Sequence, residues 1–273
     1  MVSIIIPCYN TSKYIEQAVF SAKAQTGVQT EVIIVDDGSN KETKNILGEI
    51  EGVTLITQKN LGQSAARNAG IKEASGKYIF ILDSDDYVEP NFCQMALDIL
   101  EKREDVRIVS SYTRRFEGEK TLDIFKPKGG VLSNFLLENY AMGGAYCARR
   151  LDLFQAGLYD ENMSQGFEDW EFFIRVLKLS GSAYIIPEVL YHYRKHSNST
   201  SVKANLIKYK LQKYIYFQHQ DLYKQHFEVF IEHLLGKIER EEREKIKHTQ
   251  RLEFRLGKAF LNPLRKIKRI LKW

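Results

Sequence analysis

The sequence predicts an α/β fold: a doubly wound, mostly parallel sheet with a helical extension at its C-terminal end. Three observations predict it. Apolar runs of strand length alternate with helix-period segments through the first hundred residues. Those runs read as strands buried on both faces, the mark of a parallel sheet covered by helices. After about residue 203 the strand signals stop and the chain turns helical and aromatic.

The elements follow in order. Val2–Ile6 reads as a short buried strand, after which Thr11 or Ser12 offers an N-cap and Ile15, Ala18, Val19 and Ala22 recur at helical spacing. Glu31–Val35 is a second strand, with a helix over Glu42–Ile50; Val53–Thr57 is a third, with a helix over Gln63–Ala74. Lys77–Leu82 is a fourth, and Pro90 opens a helix at a place where its missing N–H is harmless. Val106–Ser110 is a fifth strand. From 110 to 200 the pattern loosens into a Gly-containing stretch at Gly143–Ala145, a helix from near Glu168, and a strand–turn–strand over Ala183–Tyr193. Beyond that, Phe227, Phe230, Ile231 and Leu234 share one helical face. A domain over 1–202, in halves 1–110 and 111–202, followed by an extension over 203–273, is the expected division.

With 44% hydrophobic and 27% charged residues, the 273-residue chain is globular, which excludes disordered, collagen-like and coiled-coil classes. No run approaches the roughly 18 apolar residues of a membrane span. The first residues, Met1–Pro7, carry no basic segment of the kind that opens a signal peptide. Cys8, Cys93 and Cys147 are far apart and odd in number, so neither a disulfide framework nor a paired-cysteine metal site is expected. A cytoplasmic setting follows as the expectation, and the sequons at Asn10 and Asn198 then read as chance matches. Of 40 basic and 35 acidic residues, 13 basic and 5 acidic fall in 237–273. The body is therefore mildly acidic and the tail strongly basic, which points to an anionic partner for the tail.

In an open α/β sheet, ligands bind beyond the carboxyl ends of the strands. There the sequence places Pro7-Cys8-Tyr9-Asn10, then Asp36-Asp37-Gly38-Ser39, then Asp83-Ser84-Asp85-Asp86. Two acidic clusters beside an aromatic suit a divalent cation with a base or sugar. Taken alone, Asp-Asp-Gly-Ser is also good turn chemistry, and Asp83–Asp86 also reads as a capping run. Three crowded carboxylates, however, repel one another unless a cation intervenes. The segment Asn60–Gly70 enters a helix with Ser64, Arg67 and Asn68 on one face, and its alanines allow close approach to the sheet. Arg67 is either a solvated helix residue or a fork aimed at a ribose, a phosphate or an Asp. Glu168 and Asp169 open a helix, where acids also complement the helix dipole. Tyr191–Thr200 is a basic, aromatic, hydroxyl-rich loop in which Arg194 and His196 suit a pyrophosphate and a metal.

In this order the segments resemble a family 2 glycosyltransferase of the GT-A fold, a Rossmann-like doubly wound sheet. The matching stretches are Val-Ser-Ile-Ile-Ile-Pro-Cys-Tyr-Asn, Ile-Ile-Val-Asp-Asp-Gly-Ser, Asn-Leu-Gly-Gln-Ser-Ala-Ala-Arg-Asn-Ala-Gly, Ile-Leu-Asp-Ser-Asp-Asp, Gly-Phe-Glu-Asp-Trp-Glu and Tyr-Arg-Lys-His-Ser, over about residues 1–201. The resemblance implies a nucleotide-binding half over 1–110 and an acceptor-side half over 111–202. It implies that Tyr9 and the backbone of Pro7 meet the nucleotide base, that Asp37 accepts from a uracil imide, and that Arg67 orders that pocket. Asn60 and Gly62 would line the donor site, and Asp83 and Ser84 would face ribose and sugar. Asp85 would ligate Mn²⁺ or Mg²⁺, His196 would reach the metal or the β-phosphate, and Arg194 would lie nearby. Asp169 would be the catalytic base, with Glu168 positioning hydroxyls. The implied reaction is inverting transfer from a nucleotide sugar, of UDP type, to a glycan or lipid-linked acceptor in bacterial surface polysaccharide synthesis.

From 250 to 273 the sequence carries Leu256, Phe260, Leu264, Ile267 and Leu271 at helical steps with basic residues mostly opposite, and Pro263 divides the run. That pattern fits an interfacial helix on an anionic membrane, at the inner face of the plasma membrane, or else packing on protein or in a homodimer. Nucleic acid is not an expected partner, because the body is acidic and no recognition motif occurs. Two rivals stand beside the leading reading: a transferase acting on polyprenyl phosphate, and a nucleotide-sugar-binding module without turnover.

Overall fold

The structure is a computed structural model and describes residues 1–141, 144–196, 200–254 and 256–261. In chain order the elements are β1 (Val2–Cys8), α1 (Ile15–Lys23), β2 (Thr30–Asp36), α2 (Lys41–Glu49), β3 (Thr54–Thr57), α3 (Gln63–Glu73) and β4 (Tyr78–Leu82). They continue with β5 (Tyr87–Val88), α4 (Phe92–Lys102), β6 (Val106–Glu117), β7 (Lys120–Phe125), β8 (Gly130–Val131) and α5 (Leu132–Phe135). Then follow β9 (Ala145–Arg149), α6 (Arg150–Gln155), α7 (Glu168–Lys178), β10 (Ser182–Arg194), α8 (Thr200–Leu206), α9 (Lys208–Gln218), α10 (Gln220–Gln225) and α11 (Phe227–Gln250).

The sheet runs β3-β2-β1-β4-β9-β6-β10-β5, with β7 beside β6 and β8 beside β10. Strands β3, β2, β1 and β4 are mutually parallel, as are β6 and β10; β9 is antiparallel to both β4 and β6 and joins the two sets. All seven residues of β1 and all five of β4 are buried, as a sheet covered on both faces requires. Pleating divides β1 between two layers. Val2, Ile4, Ile6 and Cys8 join the core with α1 and α4, while Ile5 faces α3. There Gly70 is obligatory, since a Cβ at that point would lie 2.3 Å from an Ile5 methyl.

Three sequence expectations are corrected. Helix α1 starts at Ile15 with no side-chain cap, because Thr11 instead offers its carbonyl to the amides of Tyr14 and Ile15 and spends its hydroxyl on Ser84. Pro90 precedes α4 by a short turn rather than opening it. The expected strand–turn–strand over 183–193 is one strand, β10, whose register slips between Ile186 and Val189. Pro187 and Glu188 are exposed at that slip, where a proline's missing donor is tolerated.

The chain forms two compact units, Met1–Gln220 and Asp221–Trp273. Helices α8 and α9, assigned from the sequence to the extension, therefore belong to the first unit, where they bury Ala204, Leu211 and Ile215. In the second unit α11 buries no residue; Phe230, Ile231 and Leu234 are half-buried and Phe227 is exposed. Leu256 and Phe260 are 48% and 76% exposed, while Gly143, Ser197–Ser199 and the rest of the tail stripe lie outside the described residues. Among the described residues, no helix is long and apolar enough to cross a membrane.

Candidate active site

The carboxyl ends of β1, β2 and β4 bring the first three motif loops together, and short polar contacts set their geometry. Asp37 N donates to the Cys8 carbonyl over 2.9 Å, Asn10 N donates to Ser39 Oγ over 3.0 Å, and Asn40 N donates to Asn10 Oδ1 over 2.7 Å. Asn10 itself sits in the left-handed region, φ 56°, which a short amide side chain tolerates. The ring of Tyr9 is left half-exposed just past the strand. Asp37 is buried, and its oxygens accept from Gln58 Nε2 at 2.7 Å and from the amides of Leu61 and Gly62 at 2.8 Å. It therefore organises the 58–62 loop that feeds α3, a task the sequence did not reveal.

Helix α3 docks a second loop. Ser64 Oγ donates to the Met163 carbonyl at 3.1 Å, and the Asn68 amide exchanges hydrogen bonds of 2.9 Å with both backbone groups of Tyr159. Between them Arg67 is wholly buried. Its Nη1 donates to Glu168 Oε1 and Asp169 Oδ1, both at 2.7 Å, and its Nη2 donates to Asp83 Oδ1 at 2.9 Å. The guanidinium lies 5.2 Å from the Tyr159 ring centre, and Nε has no hydrogen-bond partner. The solvated reading of Arg67 is thus excluded: one cation ties the β4 turn to the N-terminus of α7.

Of the three acids, Asp83 and Asp169 keep side-chain exposures of 21% and 17% against 5% for Glu168, so those two reach solvent. Burial, with Glu168 and Asp83 adding like charge, holds the Asp169 carboxyl well above the ordinary carboxylate range although Arg67 opposes it. Just before these acids Phe167 is held at φ 64°, a left-handed conformation that costs a non-glycine residue on the order of 1 kcal/mol. Strain of this kind persists where surrounding contacts fix it. Gly144 packs on the same turn: a Cβ there would stand 2.1 Å from Asp83 Oδ2. Ser84, expected at the ribose, is buried with its hydroxyl on Thr11.

The end of β10 closes over Asp85 and Asp86. Asp86 is buried, accepts from Arg194 N at 2.6 Å and from the Tyr191 hydroxyl, and is pushed well above the usual range by burial and the neighbouring acids. Arg194 Nε donates to the Asp85 carbonyl at 2.8 Å, and its guanidinium lies between Tyr14 and Phe116 at 4.5 and 4.7 Å from the ring centres. His196 Nε2 stands 2.9 Å from Asp85 Oδ2. Burial and Asp83 raise the Asp85 carboxyl by disfavouring its charged form, and a cation at its oxygens would favour that form again. Among the described residues no three His, Cys, Asp or Glu side chains are grouped to hold a metal. A Mg²⁺ or Mn²⁺ that takes most of its ligands from substrate phosphates needs only one or two protein groups, and Asp85 with His196 fits that demand.

The family model described as Glycosyl transferase family 2 matches residues 3–145, just over half of the chain and every loop from Tyr9 to Asp85. The chain belongs to this family.

Among its relatives in family 2, the chain is 32% identical over 218 residues to chondroitin synthase of Escherichia coli, covering 74% of this chain but 30% of that protein. It is 34% identical over 216 residues to the glycosyltransferase RP339 of Rickettsia prowazekii, 67% of which is covered. It is 29% identical over 234 residues to TuaG of Bacillus subtilis, whose name assigns it to teichuronic acid biosynthesis, with 83% of this chain and 90% of that protein covered. The crystal structure of S. aureus TarS 1-349 in complex with UDP aligns with a TM-score of 0.61 at 20% identity, over 71% of this chain and 60% of that one. At that identity the likeness shows the GT-A fold alone. Glu168, Asp169, Arg194 and His196 lie beyond the residues matched by the family model. Asp86, Tyr191 and Gly144 fall within stretches that the sequence marked, but the parts they play in the site depend on contacts far along the chain.

Proposed function

We propose that the chain transfers a sugar from a nucleotide sugar of UDP type, with inversion, to a hydroxyl of a glycan or lipid-linked acceptor in surface polysaccharide synthesis. One observation carries the reading: Arg67 gathers Asp83, Glu168 and Asp169 at the carboxyl edge of the sheet, with Asp169 still reached by solvent. Asp169 is the base that takes the acceptor proton as the hydroxyl attacks the anomeric carbon from the side opposite the departing diphosphate. Its raised pKa makes it a stronger base than a free carboxylate. Glu168, deeper and on the same nitrogen of Arg67, holds that geometry. Tyr9 offers its ring to the base and Asp37 the remaining lone pair of Oδ2 to a uracil imide, with Pro7, Asn60 and Gly62 at the same edge. Asp85 and His196 would hold Mn²⁺ or Mg²⁺, which supplies charge stabilisation to the leaving diphosphate. Arg194, fixed by its two aromatic neighbours, keeps the His196 loop against the donor site. The exposed Leu256 and Phe260 in a basic tail support peripheral attachment to an anionic membrane.

Asp169→Asn preserves shape and removes the proton acceptor. Turnover should fall by roughly 10²–10⁴ with UDP affinity little changed. Near-normal turnover would refute the base assignment and favour the polyprenyl-phosphate reading, in which the acceptor is already an anion.

A further inference from the structure

In the loop segment that leads toward α7 and Asp169 lies a groove of about 380 Å³ between residues 162–165 and α9. Met163 and Gln165 form one wall, and Lys210, Lys213, Tyr214 and Phe217 form the other. Phe217 is 66% exposed, and Lys213 Nζ lies 5.6 Å from its ring centre. The Tyr214 hydroxyl donates to Asp160 Oδ2 at 2.7 Å, which fixes that ring. No acid lines the groove among the described residues, and neither lysine forms an ion pair there. One wall of the groove is anchored to the donor-side loop and α3: the Met163 carbonyl is held by Ser64, one helical turn before Arg67, and a Cβ on Gly62 would stand 3.3 Å from Ser164.

We propose that this groove is the acceptor subsite and that its occupant is an anionic saccharide bearing a carboxylate or phosphate. The inference rests on the transferase reading above and names its acceptor class. Aromatic faces match the C–H faces of a pyranose. The free amide of Gln165 matches hydroxyls, and two ammonium groups without an acidic partner match an acid on the sugar or its neighbour. Ser64, which holds the groove's Met163 wall, and Arg67, which holds Asp169, lie one turn apart on α3, a rise on the order of 5 Å. An isoprenoid chain would gain nothing from two solvated cations beside its path.

The test measures binding of a glucuronate-containing tetrasaccharide and of the same tetrasaccharide with its carboxylates reduced to alcohols, alongside UDP. At low salt the acidic ligand should bind about tenfold more tightly, at roughly threefold per exposed ion pair. Lys210→Gln with Lys213→Gln should abolish that preference, Phe217→Ala should weaken both ligands, and UDP affinity should be unchanged in each variant. These side chains are exposed, so an unaltered melting temperature is expected and excludes misfolding. Equal binding of the two saccharides to the wild type, or a preference that survives the double substitution, would overturn the assignment. Displacement of the saccharide by farnesyl phosphate below its micellar concentration would also overturn it and assign the groove to a lipid. If UDP fails to bind while the saccharide preference stands, the transferase reading falls and the groove survives.

Discussion

Replacing Arg67 with methionine keeps a long apolar stem and deletes the charge that three acids share. The residue is 0% exposed, and its hydrogen bonds to Glu168, Asp169 and Asp83 span 2.7–2.9 Å. Removing one partner from a buried ion pair costs about 3–5 kcal/mol, because the remaining charge is left without compensation. For a unit of this size each kcal/mol lowers Tm by about 2–4 °C, so a drop of roughly 6–20 °C is expected at neutral pH. The pH dependence identifies the cause. Burial already raises Asp169 in the folded state, and Arg67 works against that rise. Without Arg67 its folded pKa moves further above the unfolded value of about 4. A group raised in this way contributes stability below its unfolded pKa and loses it as pH rises through the folded one. The deficit of Arg67→Met relative to wild type should therefore be largest near pH 8 and shrink toward about pH 5. Melting both proteins across that range, followed by circular dichroism, decides the matter. A deficit under about 2 °C, or one independent of pH, would refute a shared-charge role for Arg67.

The acid limb of the turnover profile, measured with saturating donor, should lie above the roughly pH 4 of an ordinary carboxylate, since Asp169 must lose its proton before it can act. A limb at or below that value would detach the profile from Asp169. Asp85→Ala should remove any gain in UDP affinity on adding Mn²⁺, measured by calorimetry, with Tm unchanged; a wild type whose UDP affinity ignores metal would refute the proposed ligand pair. Deleting 250–273 should abolish co-sedimentation with anionic vesicles and leave turnover on a short soluble acceptor intact. Full-length protein that ignores such vesicles at low salt would make the tail a packing element.

What the sequence determined by itself is local or periodic. The buried strands of β1, β2 and β4 follow from uninterrupted apolar runs, and the loops beyond them follow from the rule that ligands sit at carboxyl ends. Asp37, Asp83 and Asp85 were marked as candidates by their place beyond the strands and Arg67 by the helical face it shares with Ser64 and Asn68, whereas Asp169 was marked only by the family resemblance. What that face meets was decided only in three dimensions: Met163, Tyr159 and three carboxylates, none of which any spacing connects to α3. The pairing of Asp86 with Tyr191, 105 residues apart, and the closure of Gly144 on Asp83 are decided in the same way. So is the attachment of α8 and α9 to the first unit, where a composition shift had suggested a boundary at 202. Local propensity and hydrophobic period are written in neighbouring residues. The partner of a buried charge is set by which chain segments the sheet order brings together, and β9, inserted antiparallel between β4 and β6, is the strand that sets that order here.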